Sequence, residues 1–166
     1  MKGSVGFGSA FGGFNAFAGF FSIQPASMQN RKNDRSRSQL EIAFPAMVIV
    51  AESEEELARG RDAMRPRLAF YGSTPAYKVV LDTHGWGELQ SELNRLSKTG
   101  DWATMASMIT DEIVDTFVVS GSPEEIGPRL KERYGDIVQR VSFDTPDKLG
   151  RERVARVLDG LREQEP

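Results

Sequence analysis

A chain of 166 residues with no cysteine, one histidine and a formal net charge of −3 excludes a disulfide framework, a thiolate nucleophile, a Cys-based zinc centre and any multi-histidine metal site. The length is ample for one domain with a core, yet short of the roughly 250 residues of a complete (β/α)8 barrel. Charged residues at 27% and a mean hydropathy of −0.40 are ordinary for a soluble protein, with no electrostatic footprint for nucleic acid and no membrane span, and the lack of cysteine fits a reducing cytoplasm.

Residues 1–38 differ in composition from the rest. Gly3, Gly6, Gly8, Gly12, Gly13 and Gly19 are interspersed with Phe7, Phe11, Phe14, Phe17, Phe20 and Phe21, an apolar but backbone-flexible stretch with neither helical nor strand periodicity. It reads as a poorly ordered leader, a degenerate secretory signal, or sequence unrelated to the domain downstream of it. The signal reading suffers because Ala26-Ser27-Met28 is not a small-x-small cleavage site. The basic run from Arg31 to Ser38 reads as a solvated linker rather than a nucleic-acid arm. Residues 39–166 then form the folded domain.

Ile42, Phe44, Met47, Val48, Ile49 and Val50 make a nearly continuous apolar run, the pattern of a parallel strand covered on both faces, with Pro45 near its start. Ser53-Glu54-Glu55-Glu56 is a capping box that opens a helix. Leu57, Met64, Leu68 and Tyr71 carry its apolar face, Pro66 predicts a kink or split, and Gly72 ends it. From Ser73 to Thr116 the chain predicts helices without strands: a short one capped by Thr74 with Pro75 at its first position, one bearing Leu89, Leu93 and Leu96 and closed by Gly100, and a 3- or 4-residue step through Trp102, Met105, Ile109, Ile113 and Phe117. Such an excursion is expected over the carboxyl ends of the strands. Ser122-Pro123-Glu124-Glu125 opens a helix bearing Ile126 and Leu130. Ile137, Val138, Val141 and Phe143 read as a buried strand lying parallel beside Ile42–Val50. Thr145-Pro146 opens the last helix, with Val154, Val157, Leu158 and Leu161 on one stripe.

Phe70-Tyr71-Gly72-Ser73-Thr74-Pro75-Ala76-Tyr77 followed by Leu81-Asp82-Thr83-His84-Gly85-Trp86-Gly87 is the most specific stretch. With Gly100-Asp101-Trp102, Phe117 to Glu125 and Arg140 to Pro146, it resembles, in order, the final third of luciferase-like F420-dependent oxidoreductases, over about residues 34–160. The resemblance implies an α/β fold, the carboxyl-terminal strands and helices of a partial (β/α)8 TIM barrel with an inserted helical segment. It also implies hydride transfer between coenzyme F420, or FMN as the alternative, and a small organic substrate. The first five or six barrel strands have no counterpart upstream of Leu40. Unpaired strand edges then predict a homo-oligomer or a complementing barrel fragment, and the competing reading is a catalytically inactive truncated remnant serving as an association or structural module.

Each candidate residue carries two readings. His84 is either a hydrogen-bonding partner of a helix-terminal carbonyl or a proton-transfer group. Tyr71, Ser73, Thr74 and Tyr77 present hydroxyls and amides at a helix start, where capping competes with the binding of a cofactor's anionic group. Trp86 and Trp102 belong to the core or line an apolar cofactor pocket. Glu54, Glu55, Glu56, Glu124 and Glu125 are helix starts, and no metal site is expected.

Overall fold

The computed structural model describes residues 41–162; the leader and linker expected over residues 1–38 lie outside them. The apolar run becomes β1 (Ala43–Val50), with Ala46, Val48 and Ile49 almost completely buried. Pro45 stands where β1 has a neighbour on one side only, the setting that tolerates a missing N–H. The Ser53 hydroxyl then accepts the Glu56 amide at 3.1 Å and starts α1 (Glu54–Gly72), while the Glu56 carboxylate reaches back one residue further than a strict capping box, to the Glu52 amide at 2.9 Å. Pro66 does not split α1. It lies on the exposed face of the helix, where water is available to the Asp62 carbonyl that a proline leaves without an amide partner.

The expected strandless excursion comes next. A 3₁₀ turn over Pro75–Tyr77 leads into α2 (Lys78–Thr83), then α3 (Gly87–Thr99), α4 (Trp102–Ser107) and α5 (Asp111–Phe117). Gly100 closes α3 at φ 73°, a left-handed conformation that glycine adopts without a Cβ penalty. Asp101 and Thr110 cap α4 and α5 by accepting the Thr104 and Ile113 amides. Sequence periodicity gives no sign of β2 (Val119–Gly121), because three residues are too few to display it. The capping box at Ser122 opens α6 (Pro123–Tyr134) as expected. Ile137 does not join a strand: it is 53% exposed in the turn that leaves α6, and β3 runs over Arg140–Asp144. The last helix, α7 (Arg151–Arg162), starts six residues after Thr145, which opens a loop instead; of its stripe, Val157 is buried and Leu158 exposed.

The three strands form one parallel sheet in the order β2-β1-β3. Phe44 lies across from Val141 and Ala46 from Phe143, so the expected parallel partnership of the two apolar stretches holds. The alternation of β1 sorts its side chains between two cores. Met47, Ile49 and Ala51 meet Met64 and Leu68 of α1 together with α3, α4 and α5; Ala46, Val48 and Val50 meet Ile126 and Leu130 of α6 and Val157 of α7. Helices therefore cover both faces of an open sheet. Among the described residues β3 adjoins β1 rather than β2, and the three strands are a parallel sheet without a closed barrel. The α6–α7 contact is close because Gly127 and Gly160 face each other: a Cβ at Gly127 would lie 2.5 Å from the Gly160 carbonyl carbon.

Candidate functional site

Two of the residues singled out by sequence, Tyr71 and Tyr77, line one small apolar cavity of about 50 Å³ together with Met47, Leu68, Val80 and Phe117 among others. Its position is set by α1. Nineteen residues at 1.5 Å per residue carry the chain roughly 28 Å from the carboxyl end of β1 before Gly72, so the excursion packs against the Met47–Ile49 face of the sheet instead of capping the carboxyl ends.

Tyr71 and Tyr77 meet edge to face at 6.2 Å, and both are half-buried. Burial raises both phenol pKa values above the ordinary 10.0; beside Tyr71 the Arg67 guanidinium works against burial and the Asp144 carboxylate with it, while Tyr77 also feels Tyr71. Both phenols are therefore neutral donors at physiological pH. Arg67 and Asp144 are ion-paired at 2.5 Å, tying α1 to the carboxyl end of β3 beside this wall.

His84 stacks on Trp86, with centroids 5.1 Å apart at 22°, and both rings meet the edge of Phe117 at 5.5 and 6.1 Å. The imidazole is exposed and its ring stacks instead of bonding a helix-terminal carbonyl; it is the backbone amide of His84 that donates to the Leu81 carbonyl. Phe117 lines the cavity, so the two aromatic groups share one wall.

Ser73 is buried and consumed locally. Its hydroxyl donates to the Phe70 carbonyl at 2.7 Å, and its own carbonyl accepts from Asn94 at 2.9 Å and from the buried Gln90 at 3.2 Å. Thr74 precedes the 3₁₀ turn without a side-chain capping bond, which corrects the expectation of a threonine-capped helix there. Three residues of 3₁₀ turn present no helix dipole. Trp102 is neither core nor pocket: it is 45% exposed, 6.3 Å from Phe70.

Sequence reasoning misses Phe117, whose position in a helical step reads as core, and the Arg67–Asp144 pair, whose members are 77 residues apart. Asp144 ends a parallel strand, a position that carries function in α/β folds, and that signal is available once the strand is placed. At the carboxyl end of β1 the glutamates form an ion-pair network: Arg153 bridges Glu52 and Glu56, each at 2.8 Å, and Arg156 bridges Glu52 at 2.7 Å and Glu124 at 2.5 Å. Among the described residues no helix is long and apolar enough to cross a membrane.

Comparison with known proteins gives three findings. The model of the luciferase-like monooxygenase family matches residues 19–140. Uncharacterized proteins of Mycobacterium tuberculosis (strain H37Rv) and Mycobacterium bovis are each 44% identical over 110 residues, 66% of this chain and 32% of theirs. The 5,10-methylenetetrahydromethanopterin reductase of Archaeoglobus fulgidus is 31% identical over 123 residues, 69% of this chain and 35% of the reductase. The chain thus spans about a third of the length of these relatives. No solved structure matches it.

Proposed function

Because the chain belongs to the luciferase-like monooxygenase family, we propose that it is part of an oxidoreductase that moves a hydride between coenzyme F420, or alternatively FMN, and a small organic substrate. The parallel strands are read as part of a (β/α)8 wall with α2 to α5 as its inserted segment. A relative named as a reductase supports reduction of an organic substrate.

The observation that carries the local assignment is that Tyr71, Tyr77 and Phe117 line one apolar cavity while His84 and Trp86 pack against the ring of Phe117. At about 50 Å³ the cavity does not hold a tricyclic ring, since sites for such ligands occupy roughly 300–1,000 Å³; no hydride step is routed through it. The wall accepts the apolar end of a small substrate and excludes water from it. Tyr71 and Tyr77 supply neutral aromatic surface, Ser73 and Thr74 hold the turn that presents them, and His84 sits at the solvent edge, stacked on Trp86. When bound, the coenzyme supplies the hydride chemistry.

The test is a titration of F420, and of FMN in parallel, read by coenzyme fluorescence. Saturable quenching is expected with one of the two, and its absence for both overturns the proposal.

A second reading, a non-catalytic association module formed with a second copy or a complementing barrel fragment, has one observation in its favour. The Ser120 hydroxyl is buried without a hydrogen-bond partner on β2, whose outer side lines a groove of about 870 Å³. Against it, Arg129 donates to the Ser120 carbonyl, which blunts that edge. Sedimentation separates the readings: a monomer at all concentrations removes the second.

A further inference from the structure

One residue of the cavity wall has no side chain, and it fixes how much room the cavity has. Gly72 is the last residue of α1 and does not take a left-handed φ, so the helix end does not require glycine, and a glycine there forgoes the stability that alanine gives a helix. What it supplies is space. A Cβ at Gly72 would stand 2.8 Å from Leu93 Cδ1 and 3.7 Å from Leu81 Cδ1, and both leucines line the same cavity. Leu93 is completely buried, so the cavity is the space into which its displaced methyl would move.

The cavity of about 50 Å³ has room for about four water-sized groups at roughly 10–15 Å³ each. Apart from the two tyrosines its wall is apolar throughout, and cavities walled in this way stay dry and take up apolar molecules that fit them. Benzene does not fit, since the apolar cavity known to hold it measures about 150 Å³. A single short helix separates the space from solvent: Val80 and Leu81 of α2 line it, while Val79 is 65% exposed and Leu81 alone of that helix is buried. A six-residue helix has little stability of its own, and elements with so few buried contacts open locally at low free-energy cost.

We propose that the cavity takes the short alkyl end of the substrate, a chain of up to about four carbons, that α2 opens to admit it, and that Gly72 sets the permitted length by keeping the Leu93 methyl out. The inference deepens the reading of the aromatic wall as the seat of a substrate's apolar end and rests on it. Gly72 is then a specificity-determining residue that makes no polar contact with the substrate.

The experiment is methyl NMR of the whole chain titrated with propane and, in separate arms, with n-pentane and benzene. Propane is expected to shift the methyl resonances of Leu93, Ile109 and Ile113 saturably, with n-pentane and benzene silent. Gly72→Ala is expected to abolish the propane response, with a cooperative thermal transition verifying that it folds. Ile113→Val removes one methyl from the wall and is expected to bind n-pentane; should Gly72→Ala fail to fold, this variant decides, and its silence toward n-pentane counts against the proposal. Absence of saturable propane shifts, which is the behaviour of a closed packing void, or equal propane binding by Gly72→Ala, or benzene binding as tightly as propane, overturns the proposal. The readout uses no coenzyme: propane binding beside a failed F420 and FMN titration removes the oxidoreductase reading alone, and coenzyme quenching without propane binding removes the alkyl site alone.

Discussion

Glu56 and Glu124 are held below the ordinary carboxylate value of 4.5, Glu56 chiefly by its hydrogen bond from Arg153 and Glu124 by that from Arg156. A carboxylate whose folded pKa is depressed contributes stability that is present above its unfolded value and is lost as pH falls through the folded one. Both pairs span elements, joining α1 and α6 to α7. The thermal midpoint is therefore expected to drop as pH falls below the ordinary carboxylate value of 4.5, and to drop less in a Glu56→Gln, Glu124→Gln variant. Midpoints that fall in parallel for both proteins would remove these pairs from the acid response. The aromatic candidates are legible at this scale because Tyr71, Tyr77, His84 and Trp86 cluster within a sixteen-residue stretch of the sequence. The groups that complete the site are not: Phe117 and Asp144 reach it only through the fold.

Elements with chemical punctuation are legible in the sequence and those without it are not. The Ser122 capping box, with the Glu125 carboxylate accepting the Ser122 amide at 2.8 Å, and the left-handed Gly100 mark their helices unambiguously. Ile137 and Val138 look like strand residues but are spent on the turn after α6, where both amides bond the Tyr134 carbonyl. Thr145-Pro146 imitates a helix start, and the loop it opens instead lines a crevice beside Ile49 and Val50. The Gly127–Gly160 contact carries no local signal at all, because a helical glycine reveals its partner only in three dimensions. Gly127→Ala forces a methyl to within 2.5 Å of α7 backbone and is expected to cost about 1–3 kcal/mol by overpacking. Gly150→Ala, where nothing lies within 4 Å, is expected to stay within about 0.5 kcal/mol. Urea unfolding of the two variants tests this, and equal losses would mean that α6 and α7 do not touch as described.

For the whole molecule, the parallel α/β character is legible and the strand order is not. A near-continuous apolar run says that both faces of β1 are covered, but not whether the second cover is helical or the interior of a cylinder. Placed on the free side of β1, β3 puts α6 and α7 opposite α1 and divides the core into two clusters. The absence of native cysteine makes this order directly measurable. Ala43 and Arg140 are exposed partners across β1 and β3, and neighbouring strands bring Cα atoms within disulfide range. Ala43→Cys with Arg140→Cys should oxidise to an intramolecular disulfide, while Ser120→Cys with Ser142→Cys, on strands that β1 separates, should stay reduced. A cross-link in the second pair and none in the first would contradict the strand order on which that division of the core depends.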